Sequence, residues 1–276
     1  MAMSLVPVYN LHIHTYRCQH AVGDALDFAR LAAEAGCPLI GISDHCPMPD
    51  GRWNDVRMTM DDLPGYAAAI THAQKQVPEV RVLGGMECEW DPALRSYYEE
   101  VLLGELGLDY LIGSGHYIQL QGEWHSSFSS LAKPGALRAY ADLLTNLMQS
   151  KLFLFLAHPD LFGCAFEHWN PELAACSHEI LQVAEATKTP LEINGNGFRK
   201  GWRRPGPGRG YPYPFAPFWE LAAGYQVEVM LNSDAHHPLE LFQDLDHCQA
   251  MAERYGLTPW QPPGHWLSGQ KSKKPD

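Results

Sequence analysis

The sequence lacks any apolar run long enough to cross a bilayer, and its N-terminus, MAMSLVPVYN, lacks the basic start and apolar centre of a secretory signal peptide. It also lacks a pair of cysteines at CxxC spacing, and its seven cysteines are an odd number. We therefore expect a cytoplasmic protein with reduced, mostly buried thiols rather than a disulfide-bonded or membrane protein.

Positive charge is also scarce. The chain has 20 Lys and Arg residues against 32 Asp and Glu residues, which gives a formal net charge of -12. An acidic surface repels the nucleic-acid backbone, so we expect neither a long nucleic acid nor a membrane as partner. A small phosphorylated substrate is compatible with this charge if the site itself is locally positive.

Short apolar runs alternate with helix-length amphipathic segments along the 276 residues. This alternation predicts parallel βα units and an α/β barrel, with an open doubly wound sheet as the alternative. The predicted strands are Val8–His14, Leu39–Asp44, Arg81–Glu87, Tyr110–Gly115, Leu152–Ala157, Leu191–Asn194 and Val227–Ser233. The predicted helices are Asp24–Ala35, Asp62–Gln76, Pro92–Leu106, Pro134–Ser150, Pro171–Thr187, Pro214–Gly224 and Pro238–Tyr255.

No low-complexity linker and no internal repeat divides the chain. We therefore predict a single catalytic barrel over residues 1–260, followed by a flexible tail over residues 261–276 that is rich in Pro, Gly and Lys. The segment Phe198–Pro214 is rich in Gly, Pro, Arg and Tyr and is predicted to be a long loop. A second loop is expected over Ile118–Ser130.

Residue types that bind metal ions end six of the seven predicted strands. A parallel barrel brings all of these ends to one face, where function usually lies. Alternate strand residues point to the same side, so His12 and His14 can reach one site together. The predicted metal ligands are His12, His14, His20, His45, Glu87, His116, His158, Asp234 and His236.

Seven histidines and two acids exceed the four ligands of one tetrahedral ion. They predict two or three divalent ions of zinc, iron or manganese, with a bridging carboxylate. A single histidine at a strand end is more often a hydrogen-bonded polar residue than a ligand. Nine residues at the same end of successive strands argue against that explanation for the set. The other histidines lie in helical, loop or tail contexts and are not assigned: His72, His125, His168, His178, His237, His247 and His265.

Arg199 and Lys200 follow the only predicted strand that ends without a metal ligand. Arginine can bind two phosphate oxygens with its fork, and lysine supplies a point charge. We predict that these two residues bind the substrate. For the other arginines of this loop, Arg203, Arg204 and Arg209, we predict a solvated surface.

Two acids and three cysteines adjoin predicted ligands. Asp44 and Asp160 are candidates to accept the free ring N–H of a metal-bound histidine, although a turn or helix cap explains Asp44 equally well. Neighbouring strand residues face opposite ways, so Cys18, Cys46 and Cys88 are interpreted as small buried residues rather than ligands.

These motifs, in this order, resemble the polymerase-and-histidinol-phosphatase (PHP) superfamily. The order is HxH, a further His, SDH, a Glu after a Gly-rich strand end, GSGH, AHPD and SDAH, from residue 12 to residue 236. The segments HIHTYRCQHAVGD and EINGNGFRKGWRR look like the histidinol-phosphate phosphatase branch. The resemblance implies a distorted TIM-like (β/α)7 barrel with a three-metal centre. The loops Gly201–Arg209 and Ile118–Ser130 depart from the family pattern.

The resemblance also implies how the ligands are shared. Residues matching His12, His14, Glu87 and Asp234 hold one ion; Glu87 bridges to a second ion held by His116 and His158; His20, His45 and His236 hold the third. The implied reaction belongs to histidine biosynthesis and hydrolyses L-histidinol phosphate to L-histidinol and phosphate. Its nucleophile is a metal-bridging hydroxide, through which Glu87, Asp234 and His236 act catalytically.

Three other functions are compatible with parts of the pattern. A PHP phosphoesterase acting on nucleotides or short oligonucleotides would use the same ligands. A metal-dependent amidohydrolase also uses HxH on a barrel, but it usually carries a metal-bridging lysine at a strand end, and the sequence has none there. A non-catalytic metal-binding module would not need the basic loop that follows the sixth strand.

Overall fold

Strands and helices alternate along the computed structural model, which describes residues 9–166, 168–201 and 210–267. The strands are β1 Leu39–Ile42, β2 Arg81–Gly84, β3 Glu87–Glu89, β4 Ile112–Ser114, β5 Tyr117–Leu120, β6 Glu123–Ser126, β7 Phe155–Leu156, β8 Leu191–Asn194, β9 Glu228–Asn232 and β10 Thr258–Pro259. The α-helices are α1 Ala25–Ala35, α2 Leu63–Gln76, α3 Ser127–Ser130, α4 Ala136–Ser150, α5 Pro171–Thr187, α6 Gly195–Arg199, α7 Ala216–Ala222, α8 Leu245–Tyr255 and α9 Gly264–Leu267.

The parallel strands close into a ring. β1 pairs with β2, and β3, β4, β7, β8 and β9 follow one another in that order. An isolated bridge between His45 and Glu87 continues the pairing from β1 to β3. Residues 10–14 close the ring, since Asn10 bridges to Ile40 beside β1 and Ile13 bridges to Ala235 after β9. The predicted seven-unit α/β barrel is thereby confirmed.

The first predicted strand forms isolated bridges instead of a continuous ladder, because side chains take some of its backbone N–H groups. The N–H of Leu11 donates to Asn232 Oδ1 at 2.8 Å, and the N–H of Ile13 donates to Ser43 Oγ at 3.1 Å. Val8, where this strand was predicted to begin, lies outside the described residues. The interruption leaves the chain extended enough for His12 and His14 to lie on one side.

The helices agree closely with their sequence signals. Helix α1 begins after Asp24, whose side chain forms a capping box with Asp27, and it ends at Gly36 in the left-handed conformation. Helix α5 covers the predicted residues Pro171–Thr187. The main apolar core lies between the ring of strands and these outer helices.

Two predicted helices are wound differently. The segment predicted as Pro92–Leu106 is a 3₁₀ turn, Pro92–Leu94, followed by a π-helix, Tyr97–Glu105, and nothing in the structure explains the wider winding. The segment predicted as Pro238–Tyr255 is a 3₁₀ turn, Pro238–Glu240, and then α8. Asp244 separates these two because its φ of 62° is left-handed and cannot continue a helix.

The predicted loop Ile118–Ser130 is instead a hairpin followed by one helical turn. Strands β5 and β6 pair antiparallel, and the two residues between them, Gln121 and Gly122, both have positive φ. Two such residues suit the tight turns that join antiparallel strands. In the C-terminal segment, Gly264–Leu267 form α9, and the Trp266 ring centroid lies 6.1 Å from that of Trp260.

Apolar side chains fill the barrel at the end opposite the predicted ligands. This second cluster contains Tyr9, Leu11, Leu39, Leu83, Tyr110, Ile112, Phe155, Ala157, Met230 and Trp260. The Tyr110 hydroxyl donates to the carbonyl of Leu11 at 2.7 Å, and its ring occupies the space beside Gly41 and Gly85. Among the described residues, apolar side chains therefore fill this end of the barrel interior, and the cavity lies at the ligand end. In the described part of the chain, no helix is both long and apolar enough to span a membrane.

We predict that Gly85→Ala lowers the free energy of unfolding by about 1–3 kcal/mol, because the added methyl group would overlap the Tyr110 ring inside a closed barrel. Denaturant unfolding followed by circular dichroism measures this change. The control is Gly65→Ala on α2, where a Cβ meets no described atom within 4 Å and a gain of up to about 1 kcal/mol is expected. A Gly85→Ala variant as stable as the wild type would contradict this account of the packing.

Candidate metal centre

All nine predicted ligands converge at the open mouth of the barrel. Seven of them line a cavity of about 640 Å³: His20, His45, Glu87, His116, His158, Asp234 and His236. His12 and His14 lie beneath it and are fully buried. Each comes from the carboxyl end of a strand or from the loop that follows, so the ring of parallel strands is what brings them together.

The Glu87 carboxylate lies at the centre of this cluster, with each oxygen facing different histidines. Its Oε1 is 3.1 Å from His158 Nε2 and 3.4 Å from His116 Nε2. Its Oε2 is 2.8 Å from His45 Nδ1 and 3.4 Å from His12 Nε2. A carboxylate with ligand atoms on both oxygens is suited to bridging two cations.

Asp234 forms the second acidic position. Its Oδ1 lies 3.1 Å from His14 Nε2 and 3.4 Å from His236 Nδ1. Its Oδ2 accepts hydrogen bonds from the side-chain amides of Asn194 at 3.1 Å and Asn196 at 3.2 Å. These two bonds occupy one oxygen and leave the other directed at the histidines.

His20 lies on the outer side of the cluster, on the loop after the 3₁₀ turn Tyr16–Cys18. Its ring centroid is 5.2 Å from that of His45 and 5.0 Å from that of His236. The three rings therefore face one another at the mouth. Cys18 is fully buried nearby, as are Cys46 and Cys88, so the prediction that these thiols are buried is confirmed.

Several buried ligand atoms form no hydrogen bond of suitable geometry with the residues that the structure describes, although His45 Nδ1 lies 2.8 Å from Glu87 Oε2 and His14 Nε2 lies 3.1 Å from Asp234 Oδ1. The atoms without such a bond are His12 Nε2, both ring nitrogens of His14, His45 Nδ1, Glu87 Oε2 and Asp234 Oδ1. Buried polar atoms in proteins are normally paired. Divalent cations would satisfy Glu87 Oε2, Asp234 Oδ1 and one ring nitrogen of each histidine, and imidazole with carboxylate is a donor set that zinc, iron and manganese accept. The residues present therefore fit a metal centre.

The charge states of several ligands suit metal binding, but not those of His12 and His116, whose pKa values neighbouring carboxylates raise against the effect of burial. Burial, together with the charge of His14, lowers the pKa of His236 to about 4, and burial lowers the pKa of His45 well below its ordinary value. Burial would raise the pKa values of Glu87 and Asp234, but the surrounding histidines outweigh it and hold both well below their usual range. Neutral imidazoles and ionised carboxylates are the forms that bind metal ions.

Glu192 is a buried acid that the sequence analysis did not assign. Its Oε1 is 2.8 Å from His12 Nδ1 and accepts from Asn232 Nδ2 at 3.0 Å. Its Oε2 accepts from Asn194 Nδ2 at 2.8 Å. With the ring proton held on Nδ1, His12 presents Nε2 to the cluster. One feature of the sequence could have identified Glu192: it lies two residues before Asn194 and therefore points to the same face of β8.

Asp160 was predicted to accept a ring N–H from a histidine, and the structure contradicts this prediction. For Asp44, the structure supports the alternative explanation, a turn or cap. Asp160 does not accept from a histidine; its Oδ2 accepts the N–H of Phe215 and the indole N–H of Trp219, the latter at 2.9 Å. Asp44 accepts from the backbone N–H of Thr15 at 2.7 Å and from its hydroxyl. Both carboxylates thus hold loops at the mouth in place, which suits acids that cap turns.

Arg199 and Lys200 take different positions. Lys200 lines the cavity. The Arg199 guanidinium instead donates to the carbonyl oxygens of Ser233 at 2.6 Å and Asp234 at 2.9 Å. Asp234 has a left-handed φ of 50°, so these bonds hold an uncommon backbone conformation beside the cluster. The other arginines of this loop, Arg203, Arg204 and Arg209, lie outside the described residues.

Comparison with known proteins gives consistent results. A family model described as PHP domain matches residues 10–196. A Deinococcus radiodurans protein named Probable histidinol-phosphatase is 33% identical over 83% of this chain and 86% of its own length. A Schizosaccharomyces pombe protein of the same name is 23% identical over 90% of this chain and 86% of its own length.

Among solved structures, one similar fold is that of a Lactococcus lactis histidinol phosphate phosphatase, described as complexed with zinc, L-histidinol and phosphate. The TM-score is 0.68 at 16% identity, and the match covers 91% of this chain and 94% of that one. This likeness confirms the barrel fold that the strand order indicates.

We predict that Glu192→Gln weakens zinc binding by about 10–100-fold, because the carboxylate that fixes the His12 ring is lost while the ligands remain. Competition with a chelator measures the affinity. Glu228→Gln is the matched control, since Glu228 begins the neighbouring strand β9 but is exposed. Equal zinc affinities for the two variants would show that Glu192 does not orient His12.

Proposed function

Because the chain belongs to the PHP domain family, we propose that it is a metal-dependent phosphatase that hydrolyses L-histidinol phosphate to L-histidinol and phosphate. The observation that carries the proposal is the convergence of nine ligand residues, several with unpaired buried atoms, around a cavity of about 640 Å³. The substrate is supported by the relative of 33% identity, whose name specifies histidinol phosphatase activity.

The proposed metal sites share the ligands in three groups. They are His12, His14, Glu87 and Asp234; then Glu87, His116 and His158; then His20, His45 and His236. The contacts of both Glu87 oxygens with histidines support the assignment of Glu87 to two metal sites. Two or three zinc, iron or manganese ions would occupy them. Such ions, when bound, lower the pKa of coordinated water and neutralise charge that develops on phosphoryl oxygens.

The residues of the chain prepare the site for that chemistry. Glu87, Asp234 and His236, which all line the cavity, are the proposed catalytic residues. Only the two carboxylates contribute negative charge among the nine ligands, so a loaded centre is locally cationic and attracts a phosphate dianion. Burial of His12 and His14 at the floor keeps their ring nitrogens away from bulk water.

We propose Lys200 and Arg199 as the residues that bind the phosphate group. Lys200 is supported by its position in the cavity wall, where its ammonium can approach an anion. Arg199 is supported by its place next to Lys200 and beside Asp234, although its guanidinium also bonds backbone carbonyls. A single barrel over residues 1–260 and a cytoplasmic location belong to the same proposal. The closed ring of strands supports the first, and the lack of disulfide bonds among the described cysteines supports the second.

The reaction is tested by measuring phosphate release from L-histidinol phosphate, nucleoside monophosphates and sugar phosphates with the zinc- or manganese-loaded protein. We expect kcat/KM for L-histidinol phosphate to exceed each of the others by at least about tenfold, a difference of about 1.4 kcal/mol in transition-state binding. A higher kcat/KM for a nucleotide would replace the proposed substrate. If none of these esters releases phosphate, the proposed phosphatase activity is rejected.

Glu87→Ala should lose most bound metal and reduce kcat/KM by at least about 10³-fold, because several kcal/mol of charge stabilisation depends on the ions that Glu87 joins. Elemental analysis and phosphate release measure the two effects. Glu34→Ala, an exposed change on α1, serves as control and should retain both. Full metal content in Glu87→Ala would disprove the bridging position.

The roles of the two basic residues are distinguished by comparing the variants Lys200→Ala and Arg199→Ala. Lys200→Ala should raise KM for L-histidinol phosphate by about tenfold with unchanged metal content, as expected for loss of one charged contact. If Arg199 binds phosphate, its variant should behave in the same way; if it acts by holding Asp234, metal content should fall instead. Lys75→Ala, on the exposed face of α2, is the control. A KM unaffected by Lys200→Ala would remove Lys200 from the site.

A further inference from the structure

Arg57 is a buried arginine in the wall of the metal-ligand cavity, on the segment between β1 and α2. Its Nη1 donates to the carbonyl oxygen of Cys46 at 2.9 Å, and its Nη2 lies 3.4 Å from Glu89 Oε1. Both charged groups are almost fully shielded from solvent. Each therefore depends on the other for compensation of its charge.

Glu89 connects this arginine to a metal ligand. Its Oε1 is 2.7 Å from His116 Nδ1, and its Oε2 accepts the backbone N–H of His116 at 3.1 Å. An ionised carboxylate only accepts hydrogen bonds, so the ring proton of His116 lies on Nδ1. Its Nε2 is then free to face Glu87 Oε1 at 3.4 Å and His158 Nε2 at 3.1 Å.

The backbone of Arg57 is attached to the opposite side of the ligand cluster. Its carbonyl oxygen accepts from Gln19 Nε2 at 2.6 Å, and Gln19 immediately precedes His20. The guanidinium carbon lies 5.0 Å from the ring of Trp53, which stacks on Tyr117 at 4.0 Å. Arg57 thus contacts Glu89, the partner of His116, through its side chain, and it contacts the loop that carries His20 through its main chain.

We propose that Arg57 is a positioning residue for the metal centre: acting through Glu89, it fixes the His116 ring so that Nε2 faces the ligand cluster. Without the guanidinium, Glu89 would be a buried carboxylate with no cation beside it, and it would move toward solvent or another donor. His116 would lose the acceptor that defines its ring orientation. The inference rests on the proposed metal centre and is independent of the proposed substrate.

The same segment provides a matched control residue. Arg52 also lies beside Trp53, with its guanidinium carbon 5.4 Å from that ring, but it pairs with Asp50 and with Asp91 at 2.7 Å. It has no contact with Glu89 among the ion pairs of the described residues. Loss of Arg52 removes a guanidinium from the same segment and the same Trp53 ring, and it leaves the contacts from Arg57 through Glu89 to His116 intact.

The test measures zinc affinity by chelator competition in the full-length protein, for the wild type, Arg57→Met, Arg57→Lys and Arg52→Met. We expect Arg57→Met to weaken the binding of at least one zinc ion by about 10–100-fold. Arg57→Lys should recover part of the loss, because it keeps the charge without the two-point geometry. Arg52→Met should stay within about threefold, as expected for a partly exposed pair.

A second readout reports the His116 ring directly. In the zinc-loaded wild type, two-bond ¹H–¹⁵N spectra of the ring should show the proton on Nδ1, and Arg57→Met should show loss of that single tautomer. If Arg57→Met does not fold, the double variant Arg57→Met/Glu89→Gln removes the unpaired charge. It should fold and still bind zinc more weakly than the wild type.

Wild-type zinc affinity in Arg57→Met or in the double variant would overturn the assignment, as would equal losses in Arg57→Met and Arg52→Met. A wild-type protein that binds none of zinc, iron and manganese would overturn both the metal centre and the role of Arg57. A wild-type protein that binds zinc but releases no phosphate from L-histidinol phosphate would reject the proposed substrate alone.

Discussion

Seven imidazoles and two carboxylates packed at one end of a barrel cannot satisfy their polar atoms with one another. Glu87 offers two oxygens to histidines on both sides, yet Glu87 Oε2, His12 Nε2 and both nitrogens of His14 have no hydrogen-bond partner in the described part of the chain. Leaving such atoms unpaired in a buried site costs free energy for each one. Cations shared through Glu87 would remove this cost, which is the physical reason to propose metal ions in this cluster.

Two different sets of side chains inside the barrel support this cluster. Below the ligands, Tyr110 and its apolar neighbours fill the ring of strands and make it rigid. Around the ligands, a layer of acids and amides fixes each ring: Glu192 accepts from His12, Glu89 from His116, and Asn194 donates to Asp234. Glu89 and Asn194 lie on strands adjacent to those that carry their ligands, whereas Glu192 on β8 contacts His12 two strands away. Orientation of the ligands is therefore a property of the sheet itself.

The convergence of the proposed ligands could be predicted from the sequence because period two in strands and parallel order in a barrel are strong constraints. His12, Glu87 and Asp234 meet for that reason alone. The residues that orient them were harder to identify, since an acid such as Glu192 looks like any strand residue until its partner His12, far away in the chain, is placed beside it. Arg57 was missed because no local pattern shows that a loop arginine will be buried. The hairpin of β5 and β6 was predicted as a loop, because its polar residues do not show the apolar alternation typical of strands on either side of the turn at Gln121 and Gly122.

The central claim is that Glu87 joins at least two cations within one cage of histidines. The most direct measurement is anomalous X-ray scattering at the zinc absorption edge from crystals of the zinc-loaded protein. The account predicts anomalous peaks on both sides of the Glu87 carboxylate, at bonding distance from its two oxygens. A single peak that touches only one oxygen, or peaks elsewhere on the molecule, would contradict it.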